Sequence, residues 1–209
     1  MVANKNCIIR LSRYKNALGR LKGLGFVKVY SDNLADAVSV TSAQVRKDFS
    51  IFGLSGNKRG GYQVDELIDK LNQILGKTEL HKVIIVGAGK LGSALLKYKG
   101  FEKEGIKLVA VFDSDSAKIK RAQEPPVLPL EELPAFVKEN GIRIGIIAVP
   151  DLSAQEAADL MFGAGIKGIL NFAPIQLKVA DGNIVNNVNL EVELENLIYF
   201  VSVRSKELS

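Results

Sequence analysis

The chain has 209 residues, 28 Lys/Arg against 23 Asp/Glu, one cysteine and one histidine. Cys7 and His81 alone can form neither an internal disulfide framework nor a Cys/His zinc cluster, and no apolar run approaches the roughly 18 residues of a membrane span. An N-terminus without a signal peptide's apolar core leads us to expect a soluble, cytoplasmic protein with no metal and no membrane partner.

The charge is unevenly placed. Residues 1–80 hold 13 Lys/Arg and 7 Asp/Glu, whereas the rest of the chain is close to neutral. A basic excess confined to one end suggests a polyanion as its partner, although a solvated basic face would look the same.

In chain order, Ile8, Leu11, Leu18, Leu21 and Leu24 have helical spacing, which predicts a helix over 8–24 closed by Gly25. Cys7 reads as a small helix residue. Ser31-Asp32 is expected to cap a short second helix through Leu34, Ala35 and Val38, and Thr41 a third from Ser42 to Phe52. Two helices joined by a short turn make a helix-turn-helix. On the third helix Val45, Phe49 and Phe52 share one side, leaving Ser42, Gln44, Arg46, Lys47 and Ser50 for the other faces. Ser42, Gln44, Arg46 and Lys47 are the candidate contacts to double-stranded DNA, while Asp48 is expected to cap or pair inside the protein.

The basic turn Gly56-Asn57-Lys58-Arg59-Gly60-Gly61, flanked by Leu54 and by Tyr62 and Val64, looks like the hairpin wing of a winged helix. Lys58 and Arg59 join the candidate DNA contacts. A further helix is predicted over 65–76, and Gly76-Lys77-Thr78-Glu79 reads as a linker. The expected organisation is a winged-helix domain over 1–78, a nucleotide-binding domain over 79–188 and a C-terminal dimerisation helix over 189–209.

His81 leads into an apolar strand, Val83 to Val86, followed by Gly87-Ala88-Gly89-Lys90-Leu91-Gly92, an amphipathic helix with Leu91, Leu95 and Leu96, and a second strand, Leu108 to Phe112, running into Asp113. Strand, GxGxxG, helix, strand and acid in this order form the first unit of a dinucleotide-binding fold. Gly87 permits the tight turn, Gly89 lets backbone approach a pyrophosphate, and Gly92 brings the helix close to the strand. The helix N-terminus then faces the phosphates. A carboxylate at Asp113 accepts hydrogen bonds from a ribose diol and repels a 2′-phosphate, which favours NAD(H) over NADP(H). The competing reading is that Asp113 merely starts a turn with Ser114 and Asp115. Lys90 lies inside the glycine motif, so this is not a Walker A loop.

Beyond it, Val127-Leu128 is a short strand, Leu133–Glu139 a helix, and Ile144 to Val149 a strand buried on both faces and ended by Pro150. A helix from Ser153 to Gly163, a strand at Gly168-Ile169-Leu170 and a last one at Ile184-Val185 complete an α/β, doubly wound parallel sheet. From Asn189 to Glu207, Leu190, Leu194, Leu197, Ile198 and Val201 form a stripe that the sheet does not require. It is expected to pack on a partner subunit.

Four segments, Gln44 to Gly53, Gly61-Tyr62, Val86 to Leu95 and Gly165 to Pro174, give the chain a resemblance to the bacterial Rex family of redox-sensing transcriptional repressors. The resemblance implies a homodimer with winged helices on a palindromic operator, a Rossmann domain that senses the NADH/NAD⁺ ratio, a C-terminal helix swapped between subunits, and release of DNA by NADH. It also implies that Leu190 of one subunit faces Ala148-Val149-Pro150 and Tyr98 of the other around the nicotinamide. There are departures. Family members often carry Arg and then Gly, one residue past the wing's first glycine, and Lys58 and Arg59 stand at those two places, so either could enter the minor groove. Asn16 and Asn189 stand where some members have an Arg and an Asp coupling the domains, while Tyr98 matches their tyrosine partner.

Two readings from other classes compete. An NAD-dependent dehydrogenase needs an acid/base and a substrate domain, and neither is evident; a CoA-binding Rossmann module shares the glycine turn, and Asp113 argues weakly against it.

Overall fold

The computed structural model describes residues 4–56 and 60–207, and it divides into two compact units that meet in the chain between Glu79 and Leu80. Lys58 and Arg59 lie outside the described residues.

The first unit is α1 (Lys5–Gly23), β1 (Lys28–Val29), α2 (Ser31–Val38), α3 (Ser42–Ile51), β2 (Tyr62–Gln63) and α4 (Val64–Ile74). Helix α1 begins earlier than the apolar spacing suggested, because the Asn4 side chain accepts a hydrogen bond from the Cys7 N–H at 2.8 Å and so caps the helix. Helix α2 is capped differently from the expectation. Ser31 is its first residue, and the Asn33 side chain accepts from the Tyr30 N–H at 2.8 Å. Thr41 caps α3 as expected, accepting from the Gln44 N–H at 3.1 Å.

The turn of the expected wing, residues 57–59, lies outside the described residues, and its two flanks differ from one another. Leu54 is buried but forms no strand; Tyr62–Gln63 pairs instead, antiparallel, with Lys28–Val29. A two-residue strand carries no periodicity to read. Gly61 makes the close approach possible, since it sits at φ 65° and a Cβ there would lie 2.5 Å from the Val29 carbonyl oxygen. Leu11, Tyr14 and Leu18 of α1, Val45 and Phe49 of α3, and Leu67 and Leu71 of α4 form the core. The Phe49 ring meets Tyr14 and Tyr62 edge to face, at 5.5 and 5.2 Å between centroids.

The second unit is β3 (His81–Val86), α5 (Lys90–Leu96), α6 (Gly100–Lys103), β4 (Ile106–Asp113), β5 (Val127–Pro129), α7 (Leu133–Asn140), β6 (Ile144–Ile147), α8 (Asp151–Ala164), β7 (Gly168–Asn171), β8 (Ile184–Asn187) and α9 (Leu190–Glu207). Its six strands pair in parallel in the order β5-β4-β3-β6-β7-β8. This is the doubly wound order, in which the chain reverses direction across the sheet between β3 and β6. Both faces are covered, one by Ile84, Ala110, Phe112, Leu133, Ile147 and Met161 and the other by Val83, Ile85, Val111 and Ile146.

Element boundaries differ from the sequence reading in several places, and those around the glycine turn and Pro150 bear on the site. The strand expected to reach Val149 ends at Ile147, and the following helix starts at Asp151 rather than Ser153, with Pro150 at its cap. The helix after the glycine turn ends at Leu96. Tyr98 therefore follows it, outside any helix, and its exposed ring packs edge to face on Phe101. Helix α9 is apolar on more sides than one stripe: Val192, Tyr199 and Phe200 are exposed along with Leu190, Leu194, Leu197, Ile198 and Val201. Asn189 caps it, accepting from the Glu191 and Val192 N–H groups at 3.0 and 3.2 Å.

Candidate functional site

Each unit carries one group of the singled-out residues. In the first, α3 buries Val45 and Phe49, so its opposite side presents Arg46 and Lys47 to solvent, with Ser42 and Gln44 half-buried at its start. Arg46 reaches across to α2, its guanidinium donating to the Ser31 hydroxyl at 3.4 Å.

Beneath this surface lies a network of which the sequence reading found only one member. Asp48 is fully buried, and its carboxylate accepts from Arg10 Nε at 2.6 Å and Arg10 Nη2 at 2.7 Å, from the Tyr14 hydroxyl at 3.0 Å and from Gln44 Nε2 at 2.8 Å. The Cys7 thiol points at the same carboxylate from 3.5 Å. Burial pushes the Asp48 pKa up, but hydrogen bonds from Arg10, Gln44 and Tyr14 outweigh it and hold the group below the usual carboxylate range. Burial, aided by Asp48, raises the Cys7 thiol and the Tyr14 phenol. Cys7, Arg10 and Tyr14 recur at i, i+3 and i+7 on α1, a helical face that carried the signal.

In the second unit, a cleft of about 600 Å³ opens where β3 and β6 part, lined by Gly87, Gly89, Asp113, Ala148, Val149 and Pro150, together with Lys118, Leu130, Ser153 and Glu156. Ligands of open parallel sheets bind at this switch point. The glycines divide their tasks as the motif suggests. Gly87 has φ 108° and a Cβ on it would overlap the Ala148 carbonyl oxygen, while a Cβ on Gly92 would overlap the Gly87 carbonyl oxygen. At Gly89 a Cβ would meet nothing within 4 Å, so its backbone faces open space. The first-turn N–H groups of α5 have no partner within the helix.

Asp113 lies at the end of β4 and is mostly buried. Its Oδ2 accepts from the Ala88 N–H at 2.7 Å and its Oδ1 from the Asp115 N–H at 2.9 Å, while Lys118 Nζ stands 3.2 and 3.4 Å from the two oxygens. Burial raises its pKa, and the two backbone donors with Lys118 more than reverse that. It therefore lines the cleft and starts a turn as well. The sequence reading missed Lys118, whose only signal was its position five residues past the acid.

The cleft does not gather every expected residue. Tyr98 lines a different recess, with Leu96, Phe101 and Pro125. Lys90 and Leu91 are exposed at the start of α5, and Leu190 is exposed at the start of α9. What the cleft does hold are the donors and the open backbone that a dinucleotide needs, a free N-terminal turn and a carboxylate 2.7 Å from the glycine loop's own N–H.

Among known proteins, the redox-sensing transcriptional repressor Rex of Desulforamulus reducens is 47% identical over 95% of both chains, and that of Carboxydothermus hydrogenoformans is 48% identical over 92% of this chain and 93% of its own. The chain belongs to the Rex family. Two family models divide a Rex chain as this fold does, a putative DNA-binding protein N-terminus matching residues 5–50 and a CoA binding domain matching 78–175. The same architecture recurs in RSP, a Rex-family repressor. Its complex with β-NAD⁺ and operator DNA aligns at a TM-score of 0.92 with 36% identity, over 100% of this chain and 97% of its own. Its complex with β-NADH aligns at 0.87, with 36% identity over 100% of both.

Proposed function

We propose that this Rex-family chain is a dimeric repressor that holds a palindromic DNA operator and releases it when the ratio of NADH to NAD⁺ rises. The observation that carries the reading is the union in one chain of an exposed Arg46–Lys47 pair on α3 with a cleft at the sheet's switch point that ends on Asp113. The identity to named redox-sensing repressors supports it.

The roles follow from placement. Residues 1–78 bind DNA: α3 enters the major groove, Arg46 reaches base edges, Lys47 and Ser42 grip phosphates, Gln44 is held on Asp48 beneath them, and Lys58 or Arg59 reaches the adjacent minor groove. Residues 79–188 bind NAD(H). Gly87 to Gly92 receive the pyrophosphate on backbone N–H groups, Asp113 accepts from the adenosine ribose, and Ala148-Val149-Pro150 wall the nicotinamide end. The nicotinamide supplies the signal, a cation when oxidised and a neutral ring when reduced. Residues 189–209 dimerise. Helix α9 exposes large apolar side chains from Leu190 to Val201, a contiguous patch of the kind that marks an interface, so it seats on the partner subunit and brings Leu190 toward the partner's cofactor. An apolar wall disfavours the cation and tolerates the neutral ring.

The test is a gel shift on a palindromic operator with NAD⁺, NADH, NADPH or CoA. Release by NADH alone is expected. Release by CoA would favour the other class, which the CoA-binding family model keeps in view, and turnover of a dinucleotide with any substrate would indicate a dehydrogenase.

A further inference from the structure

An ionised carboxylate is an acceptor only, with about four lone-pair sites. Those of Asp113 are all engaged. Two are held by backbone, the Ala88 N–H of the glycine loop at 2.7 Å and the Asp115 N–H of the following turn at 2.9 Å, and neither can leave without opening the chain. The others face Lys118 Nζ at 3.2 and 3.4 Å. These two are the longer contacts, and Lys118 is the donor that can move: its side chain is 42% exposed and has a second carboxylate, Asp115, at 3.6 Å. A ribose diol brings two O–H donors. It can bond Asp113 only where Lys118 withdraws.

We propose that Lys118 is a specificity-determining residue of the cleft, an internal competitor for Asp113 that sets how strongly the site separates NADH from NADPH. The inference rests on the dinucleotide reading of the cleft. With Lys118 in place, each bound diol costs an ion pair, so affinity for NADH is held down. The displaced ammonium stays near the ribose, where a 2′-phosphate would draw it in and lose part of the repulsion from Asp113. Lys118 therefore acts in opposite directions on the two cofactors: it weakens the unphosphorylated one and assists the phosphorylated one. The nearby cations Lys97 and Lys120 line the recess next to Lys118 on the Ala88 side, and they add to the second effect without touching Asp113 in its present arrangement.

The experiment measures dissociation constants of NADH, NAD⁺ and NADPH for the full-length wild type, Lys118→Met and Lys118→Gln. The ammonium of this pair is partly exposed and gives up a long contact, so the effect is of the few-fold order of a solvent-reachable ion pair: we expect NADH and NAD⁺ to tighten about two- to five-fold and NADPH to weaken by a similar factor, which widens the ratio about ten-fold in both variants. A lysine that merely stabilised the turn would shift all three cofactors together, and that result overturns the competitor role. Wild type that binds NADH, with an unchanged ratio in both variants, overturns it too and leaves the cleft's assignment intact. Wild type that binds no dinucleotide overturns the assignment and this inference with it.

Discussion

Arg10 and Asp48 form a two-pronged ion pair, Nε to Oδ2 at 2.6 Å and Nη2 to Oδ1 at 2.7 Å, that ties α1 to the middle of α3 with the carboxylate fully buried. Planar guanidinium and carboxylate meet here in the arrangement that gives the strongest charge-assisted bonds. Removing one partner of a buried pair strands the other, so Asp48→Ala should lower unfolding free energy by about 3–5 kcal/mol. Arg10→Ala should cost at least as much, since it leaves the fully buried Asp48 carboxylate without its cation, whereas the Arg10 that Asp48→Ala leaves behind is partly exposed and within reach of water. Urea unfolding of the variants checks both, and equal small losses would show that the pair does not hold the helix.

The same pair makes a prediction about acid. Asp48 is held below its ordinary pKa in the folded protein, so its contribution is present above the unfolded value of about 3.9 and is lost as pH falls through the folded value. An amide cannot titrate, so Asp48→Asn should remove that component of the acid loss. Starting from a lower stability near neutral pH, the variant should lose less than wild type between about pH 5 and pH 2. Urea midpoints followed across that range check it, and parallel curves for the two proteins would contradict it.

On the exposed side of α3, Arg46→Ala should cost about 1–3 kcal/mol of operator affinity and relax one base pair if Arg46 grips a guanine, while Lys47→Ala should weaken all sequences alike and flatten the salt dependence. Gel shifts on single-base operator variants at two salt concentrations separate the roles. Undiminished binding in both would remove α3 as the recognition helix.

Two glycines of the turn should fail in different ways. Gly89 has free space around it, so Gly89→Ala should fold with nearly unchanged stability yet lose NADH, whose phosphates need the backbone close. Gly92→Ala drives a methyl into the Gly87 carbonyl and should destabilise by about 1–3 kcal/mol or more. Calorimetric titration and melting curves read the two effects apart; an NADH affinity of Gly89→Ala equal to wild type would mean that the pyrophosphate lies elsewhere.

At the ribose, Asp113→Ala should weaken NADH and narrow its advantage over NADPH, because a carboxylate kept ionised by Asp115, Ala88 and Lys118 carries the discrimination. Equal affinities of the wild type for the two cofactors would refute the assignment.

The sequence was most legible where a pattern was long or doubly constrained. The run Val83 to Gly92 combined a buried strand with glycines whose spacing has a steric cause, and both the strand and the turn appear where the residues put them. Short pairing was invisible: Lys28–Val29 and Tyr62–Gln63 make a sheet from two residues each, too few for alternation to register. The Asp48 network was half legible, since a lone acid beside two cations could be set inside the protein, but its partners Arg10 and Tyr14 lie 38 and 34 residues away on another helix. Competition for Asp113 was hidden for a different reason. Side-chain reach, rather than periodicity, brings Lys118 back to it.

The switch itself gives the last prediction. Leu190 opens α9, is exposed in the single chain and follows Asn189, which caps the helix through two N–H groups and so fixes where its first turn begins. If that turn seats on the partner's nicotinamide end, Leu190 supplies an apolar surface that a neutral ring tolerates and an uncompensated cation does not. A ligand shifts an equilibrium only by its difference in affinity for the two states, so NADH must prefer the arrangement of subunits that has let go of DNA, and DNA must weaken NADH in return. Asn189 is neutral and engaged in its cap, so no charge at that position contributes to the coupling, and its strength should depend only modestly on salt even though DNA binding depends on it steeply. Leu190→Asp puts an anion on the wall, which favours the oxidised ring and rejects the reduced one. It should abolish release by NADH and leave operator binding without cofactor intact. Operator binding at rising NADH, for wild type and variant at two salt concentrations, checks it: superimposed release curves would mean that α9 does not read the nicotinamide.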